Sequence, residues 1–133
     1  MASSYSVFEA WPISRAHSRN AAAALGKTVY VADNNGAPGS NRQLVAFRVQ
    51  SDGSLAEKRM LHDFGPKGRG IDGMTLDAQG NIYATAGSGA LAGIYVFGPR
   101  GEQLALITTP GEPSNCVFGI GDEASTLYIT GAG

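Results

Sequence analysis

IDGMTLDAQGNIYATAGSGALAGIYVFGPRGEQLALITTP, residues 71–110, contains four short segments in which apolar and polar residues alternate. Alternation of this kind is typical of half-buried β-strands. The segments are separated by turn signals that contain Gly or Pro, such as DAQGN and GPRG. Four antiparallel strands within one such stretch are typical of one blade of a β-propeller.

A related pattern recurs on both sides of this stretch. Three segments share an apolar residue, a tyrosine and a short alternating strand: GKTVYVADN (26–34), GNIYATAGS (80–88) and STLYITGAG (125–133). Their tyrosines are 53 and 45 residues apart, which lies in the range of propeller repeats. We predict an all-β fold, a partial β-propeller of about two and a half to three four-stranded blades in residues 25–133. The tyrosine rings are expected to pack between sheets with their hydroxyls at the edge.

Residues 1–24 do not show the blade pattern. The segment SRAHSRNAAAAL is basic, rich in Ser and Ala and free of acidic residues, as in a transit segment or a short helix. A start codon set in the wrong place, or a truncated gene, would also give an unrelated leader. We interpret the chain as a fragment with an unassigned leader, non-native or helical, because the last blade also ends after its second strand.

The composition argues against several classes of protein. Ten basic and eleven acidic side chains give a formal net charge of −1, which is not the electrostatic footprint of nucleic-acid or anionic-membrane binding. No apolar run approaches the roughly 20 residues that span a bilayer, and no secretory signal is recognisable. We therefore expect no nucleic-acid partner and no membrane. The location is unknown, with the cytoplasm favoured.

GRGIDG, residues 68–73, fits the dinucleotide-binding pattern G-x-G-x-x-G. A functional copy of that pattern opens a helix, whose N-terminus holds the pyrophosphate. Here Met74, Leu76 and Ile82 alternate as in a strand, and Gly80 would interrupt a helix. We therefore reject the dinucleotide interpretation. The three glycines are expected instead to allow a tight start of that strand.

Several segments resemble the SMP-30/gluconolactonase/luciferin-regenerating-enzyme family. They are GRGIDGMTLDAQGNIYATAG, GIYVFGPRGEQLALITTP, PSNCVFGIGDEASTLYITGAG and, upstream, GKTVYVADNN with LVAFRVQSDGSL. The resemblance covers about residues 25–133 and the C-terminal half of the family's six-bladed propeller. Family members bind a divalent metal, commonly calcium or zinc, in the central channel, and many hydrolyse sugar lactones. The resemblance thus implies a fragment of a metal-dependent lactone hydrolase with a small sugar lactone as substrate.

The resemblance also implies site residues. The family's Asp-Gly motif supplies a metal ligand from the first strand of a blade, and Asp72 matches it as metal ligand and catalytic group. Aligning the blades on their tyrosines places Asn20, Asp72 and Asn115 at 10, 11 and 13 residues before the tyrosine. Carboxylate and amide oxygens directed at one axis suit a hard cation. A solvated loop carboxylate, or an Asn that caps a turn, is the structural alternative for any one of them.

The other candidates are weaker. The resemblance makes Asn20 a second metal ligand, although SRNAAAALGK lacks the Pro and Gly of the family's Pro-Asn-Gly motif. Asn115 is expected to line the channel. Arg69 either binds a substrate carboxylate or orients Asp72. The family's metal-ligand glutamate from its first blade has no counterpart, since Glu9 cannot be aligned to it.

The remaining reactive residues give no separate catalytic motif. His17 lies in the leader, and His62 is expected to be exposed on an outer strand. Cys116, the single cysteine, excludes an intrachain disulfide and a cysteine-rich zinc site; its apolar surroundings favour a core residue over a nucleophile. The alternative function is a non-catalytic binding or structural module that a partner completes. Exposed blade edges would also permit self-association.

Overall fold

The computed structural model describes residues 22–34 and 41–131. These ranges hold strands and two 3-10 helices, Gly89–Leu91 and Gly121–Glu123, and no α-helix, so the predicted all-β fold is confirmed. None of their helices is long or apolar enough to cross a bilayer. The strands are β1 (Ala22–Leu25), β2 (Thr28–Asn34), β3 (Arg42–Val49), β4 (Leu55–Asp63), β5 (Met74–Leu76), β6 (Ile82–Ala86), β7 (Gly93–Phe97), β8 (Gln103–Thr108), β9 (Pro113–Phe118) and β10 (Leu127–Gly131).

The first sheet is an antiparallel meander in the order β1-β2-β3-β4. Leu25 pairs with Thr28 across a two-residue loop, and Gly26 in that loop has φ +58°, as the first central residue of a type II′ turn requires. β1 begins three residues before the boundary expected at residue 25. Its alanine run is a strand because pairing with β2 overrides the helix propensity of alanine. The earlier residues Glu9, His17 and Asn20 lie outside the described ranges.

The second sheet repeats the meander in the order β5-β6-β7-β8, and the third sheet pairs β9 with β10. Both four-stranded sheets have the arrangement of propeller blades, in which each strand lies beside the next along the chain. β5 contacts β1 on one side and β9 on the other. The first strands of the three sheets therefore lie together along one edge of the stack, the position that faces the central channel in a propeller.

The core lies between neighbouring sheets, and β7 shows how the sequence builds it. Every residue of β7 is buried. Tyr95 and Phe97 belong to a cluster with residues of the first sheet, whereas Ile94 and Val96 belong to a cluster with Cys116 of the third. Because successive side chains of a strand point to opposite faces, the continuous apolar run GIYVF packs the second sheet against both neighbours.

The recurrent tyrosines divide into two groups. Tyr30 is 4% exposed within the first cluster. Tyr83 packs edge-on against Phe118, with 4.9 Å between ring centroids, and its hydroxyl lies 3.4 Å from the Asp77 carboxylate. The prediction of a ring between sheets is therefore confirmed for these two. Tyr128 is 46% exposed, and no described sheet covers its ring.

His62 is half-buried, so the expectation of an exposed side chain is wrong. Its ring centroid lies 4.5 Å from that of Phe64 and 4.8 Å from that of Phe97. The register of β3 and β4 shifts so that Leu44 pairs with His62 and the next residue of β3 pairs with Met60. After this bulge the side chains of β4 point to the opposite faces from those expected by strict alternation. A sequence pattern with a period of two therefore cannot predict the burial of His62.

Burial sets the titration of His62. Desolvation lowers the pKa of its imidazole below 6.5, while the negative charge of Asp63 acts in the opposite direction. Above pH 6.5 the ring is neutral in both the folded and unfolded chain. Below that pH the unfolded chain binds the proton more readily, so the free energy of unfolding falls until the pH passes below the folded pKa.

We therefore predict that His62→Gln removes part of the acid-induced loss of stability. Urea unfolding of parent and variant between pH 7.5 and 5 measures this, and the difference between the two curves isolates His62 from His17. The parent is expected to lose more stability than the variant as the pH falls through 6.5. Identical losses would show that the imidazole is equally easy to protonate in the folded and unfolded states.

Candidate functional site

The segment ahead of β5, residues 68–73, contains a β-bulge. The Asp72 N–H donates to the Thr85 carbonyl at 2.9 Å, and the Thr85 N–H donates to the Gly73 carbonyl at 2.9 Å. Asp72 and Gly73 thus lie opposite the single residue Thr85, which defines a β-bulge. Bulges are common next to functional sites, where they change the direction of a side chain. The strand expected from Ile71 therefore begins only at Met74. A strand and not a helix follows GRGIDG, as predicted, so the segment does not open the helix whose N-terminus would hold a pyrophosphate.

The Thr85 hydroxyl fixes the bulge against the third sheet. Thr85 is fully buried, and its Oγ1 accepts a hydrogen bond from the Gly73 N–H at 2.8 Å. Its proton is shared between the carbonyls of Gly73, at 3.1 Å, and Ser114, at 3.2 Å. Since Ser114 belongs to β9, one hydroxyl holds the head of β5 and the neighbouring sheet together. A valine of the same shape would leave the Gly73 N–H without this acceptor.

Arg69 and Asp72 form an ion pair at the same edge. Arg69 Nη2 lies 3.1 Å from Asp72 Oδ2, and both side chains are 22% exposed. The guanidinium also donates to the Pro113 carbonyl at 2.6 Å and to the Gly87 carbonyl at 3.4 Å, and Nε lies 3.7 Å from the Glu112 carboxylate. Arg69 thus connects the end of β6 with the start of β9. Of the two roles open to it, these contacts support orientation of Asp72.

Asn115 lies against the other end of the segment. A Cβ added at Gly73 would overlap Asn115 Oδ1 and come within 2.8 Å of the Ser114 carbonyl, so the close approach requires glycine. Asn115 Oδ1 also accepts from the Cys116 N–H at 2.8 Å, which is a local cap of the kind expected for any single Asn. The side chain stays exposed. The structure therefore pairs Arg69 with Asp72 and places Asn115 against Gly73, the residue after Asp72.

Sequence reasoning missed Asn34, the last residue of β2. Its Nδ2 donates to the Ile71 carbonyl, and a Cβ at Gly70 would overlap its Oδ1. That Oδ1 is buried and accepts no hydrogen bond from the described residues. When the three repeats are aligned on their tyrosines, Asn34 is an amide at the position that Gly87 and Ala132 occupy in the other two. This difference was the sign in the sequence that Asn34 has a separate role. Its contact is with a distant part of the chain, which a repeat alignment does not reveal.

The side chains at this edge offer oxygen atoms, which are the ligands that a hard cation prefers. Within residues 22–34 and 41–131, no group of three or more His, Cys, Asp or Glu side chains is placed to hold a metal ion. The segment offers oxygens instead: the Asp72 carboxylate with the amides of Asn34 and Asn115. Oxygen donors suit calcium, whereas zinc sites commonly contain His or Cys. A cation at Asp72 would compete with the Arg69 guanidinium for the carboxylate.

Asp77 marks the opposite end of β5 and has a different role. Its Oδ1 accepts from the N–H groups of Gln79 and Asn81, both at 2.9 Å, and its Oδ2 accepts from Asn81 Nδ2 at 2.8 Å. Desolvation raises the pKa of Asp77, but hydrogen bonds from Asn81, Gln79 and Tyr83 together bring it below the ordinary value. The carboxylate therefore stabilises the turn, as the sequence predicted.

Cys116 is a core residue, as predicted. It is 5% exposed and packs with Ile94 and Val96, and its Sγ lies 3.4 Å from the Tyr83 carbonyl. Burial raises the pKa of the thiol to about 11. At neutral pH the thiol is therefore protonated and is a poor nucleophile.

Comparisons with known proteins agree with one another. The family described as SMP-30/Gluconolactonase/LRE-like region matches residues 22–133. A gluconolactonase of Zymomonas mobilis subsp. mobilis is 41% identical over 104 residues, which make up 77% of this chain and 24% of that protein.

A solved Xanthomonas campestris structure, described as a gluconolactonase important in glucose secondary metabolic pathways, has a TM-score of 0.61 and 32% identity. The match covers 79% of this chain and 31% of that one. The chain thus spans only about a quarter to a third of the length of these relatives. Because the family match begins with β1 and covers all described strands, the chain belongs to the SMP-30/gluconolactonase/LRE-like family.

Proposed function

We propose that this chain is part of a divalent-metal-dependent lactone hydrolase that opens the rings of sugar lactones. The observation that carries the proposal is the position of Asp72. Its carboxylate lies ahead of β5, where the first strands of three sheets meet, and Arg69 holds it by an ion pair. The family and the two relatives named gluconolactonases support this reaction class. A cytoplasmic location stays a prediction.

Lactone hydrolysis sets the chemical demands on such a site. Water adds to the ester carbonyl, the bond between the carbonyl carbon and the ring oxygen breaks, and a hydroxy acid is released. Negative charge develops on the carbonyl oxygen, so a fixed positive group nearby lowers the barrier. A divalent cation, when bound, supplies that charge and lowers the pKa of water. A carboxylate at hydrogen-bond distance from the attacking water accepts its proton.

The residues of this chain divide these tasks. Asp72 would hold the cation or accept the proton, and before a cation binds Arg69 would keep its carboxylate oriented. Asn115 and Arg69 would line the approach of the lactone, and Asn20 is proposed as a second cation ligand on the resemblance alone. The oxygen donors favour calcium, and zinc is the other candidate.

Asp72→Asn tests the proposed function, because it keeps the shape and one oxygen but removes the charge. We predict weaker binding of divalent cations and a loss of lactone hydrolysis of about a hundredfold or more, as when an enzyme loses a main electrostatic group. Calorimetric titration with Ca²⁺ or Zn²⁺ and hydrolysis of gluconolactone measure the two effects.

Asp77→Asn is the matched control, since the same change is made at the other end of the same strand. It is expected to keep the parent's activity and cation affinity. Parent-like behaviour of Asp72→Asn would refute the assignment of the site. A parent chain that neither binds a divalent cation nor hydrolyses a lactone would favour the alternative, a binding or structural module.

One observation favours that alternative as a second candidate. Val117 and Tyr128 are directly opposite each other in the third sheet, and they are 57% and 46% exposed. Their neighbours Cys116 and Leu127 face the second sheet, so this pair lies on the face that no described sheet covers. Apolar faces and strand edges of this kind promote association.

We predict that the chain self-associates through this face at micromolar concentration. Replacing both Val117 and Tyr128 by Thr is expected to lower the average mass measured by light scattering. Leu104→Thr is the control, because Leu104 is 55% exposed on β8, away from this face. A parent chain that is a compact monomer with a cooperative melt would contradict the prediction.

A further inference from the structure

We infer that Asn34 is a positioning residue that directs the Asp72 carboxylate by holding the Ile71–Asp72 peptide group. The inference rests on the proposed function, because it gives Asn34 a purpose through Asp72. Asn34 itself belongs to the first sheet and Asp72 to the segment that leads into the second. The contact between them is therefore a link between two sheets.

The Ile71–Asp72 peptide group is held at both of its polar ends. Its carbonyl, on Ile71, accepts a hydrogen bond from Asn34 Nδ2. Its N–H, on Asp72, donates to the Thr85 carbonyl at 2.9 Å. Because the peptide group is planar, fixing both ends fixes the plane from which the Asp72 side chain departs. Loss of either hydrogen bond would allow that plane to rotate.

The sheet and the neighbouring segment hold Asn34 itself in place. It ends β2 and pairs with Arg42 of β3, so the sheet fixes its backbone. Gly70 lets its amide approach the segment, since any larger residue there would overlap Asn34 Oδ1. The side chain of Ile71 is 1% exposed in the core, which anchors the residue whose carbonyl Asn34 holds.

Asn34 Oδ1 is buried and accepts no hydrogen bond from the described residues. A single neutral hydrogen bond contributes little net free energy to folding, because the unfolded chain makes equivalent hydrogen bonds to water. The hydrogen bond from Asn34 Nδ2 to the Ile71 carbonyl is therefore expected to add little to the free energy of unfolding, and its purpose is to direct the Asp72 peptide.

The test replaces the amide without changing its shape. Asn34→Leu removes both the donor and the acceptor at nearly constant shape, and Gln43→Met is the matched control, since Gln43 is an amide of the same sheet that donates to Asp63. Amide hydrogen exchange by NMR is expected to show the Asp72 N–H exchanging about tenfold faster in Asn34→Leu. The Val45 N–H of β3 should be unchanged. Gln43→Met should alter neither.

A second measurement connects this loosening with the reaction. Asn34→Leu is expected to lower kcat for gluconolactone about tenfold with KM nearly unchanged, as for a group that acts in the transition state. In an Asp72→Asn background the same change should lower kcat less than about twofold, because residues that act through one another are not additive.

Three results would overturn the inference. Unchanged exchange of the Asp72 N–H would show that Asn34 does not hold the peptide. Faster exchange of the Asp72 N–H, with the same loss of kcat from Asn34→Leu in the parent and in Asp72→Asn, would show that Asn34 has a structural role independent of Asp72. Parent-like turnover by the single Asp72→Asn variant would refute the proposed function itself. That last failure is distinguishable because it appears without any change at Asn34.

Discussion

The close approach of three sheets at residues 70–73 is the constraint on which the candidate site depends. Asn34 from the first sheet occupies the space of a Cβ at Gly70, and Asn115 from the third sheet occupies the space of a Cβ at Gly73. Only a backbone without side chains at these two positions admits both amides. Packing between sheets therefore explains two of the three glycines in the pattern that imitates a dinucleotide motif, and Asp72 lies on the segment between them.

Apolar packing and polar contacts contribute differently to this arrangement. The apolar faces of β7 hold the second sheet against both neighbours, and such burial is not directional. The orientation of the site comes from hydrogen bonds with defined geometry, chiefly those of Thr85 and Arg69. Thr85 joins the bulge to β9, and Arg69 joins Asp72 to the same strand.

The sequence predicted the features that depend on local pattern. Strand alternation, the turn at Asp77 and the burial of Cys116 follow from neighbouring residues, and the structure agrees. The sequence pattern could not predict the bulge opposite Thr85, the half-buried side chain of His62 or the contact of Asn34 with Ile71. Each of these depends on the register of one strand against another or on residues distant in the chain. The role proposed for Asp72 rests on the family resemblance, because no local pattern in the sequence indicates it.

The presence of a cation at Asp72 is the central claim, and anomalous diffraction from crystals of the chain grown with a lanthanide in place of calcium tests it most directly. The claim predicts an anomalous peak about 2.3–2.6 Å from a carboxylate oxygen of Asp72. It also predicts that the Arg69 guanidinium has moved away from that oxygen. An intact Arg69–Asp72 pair, with no peak beside it at saturating lanthanide, would contradict the claim.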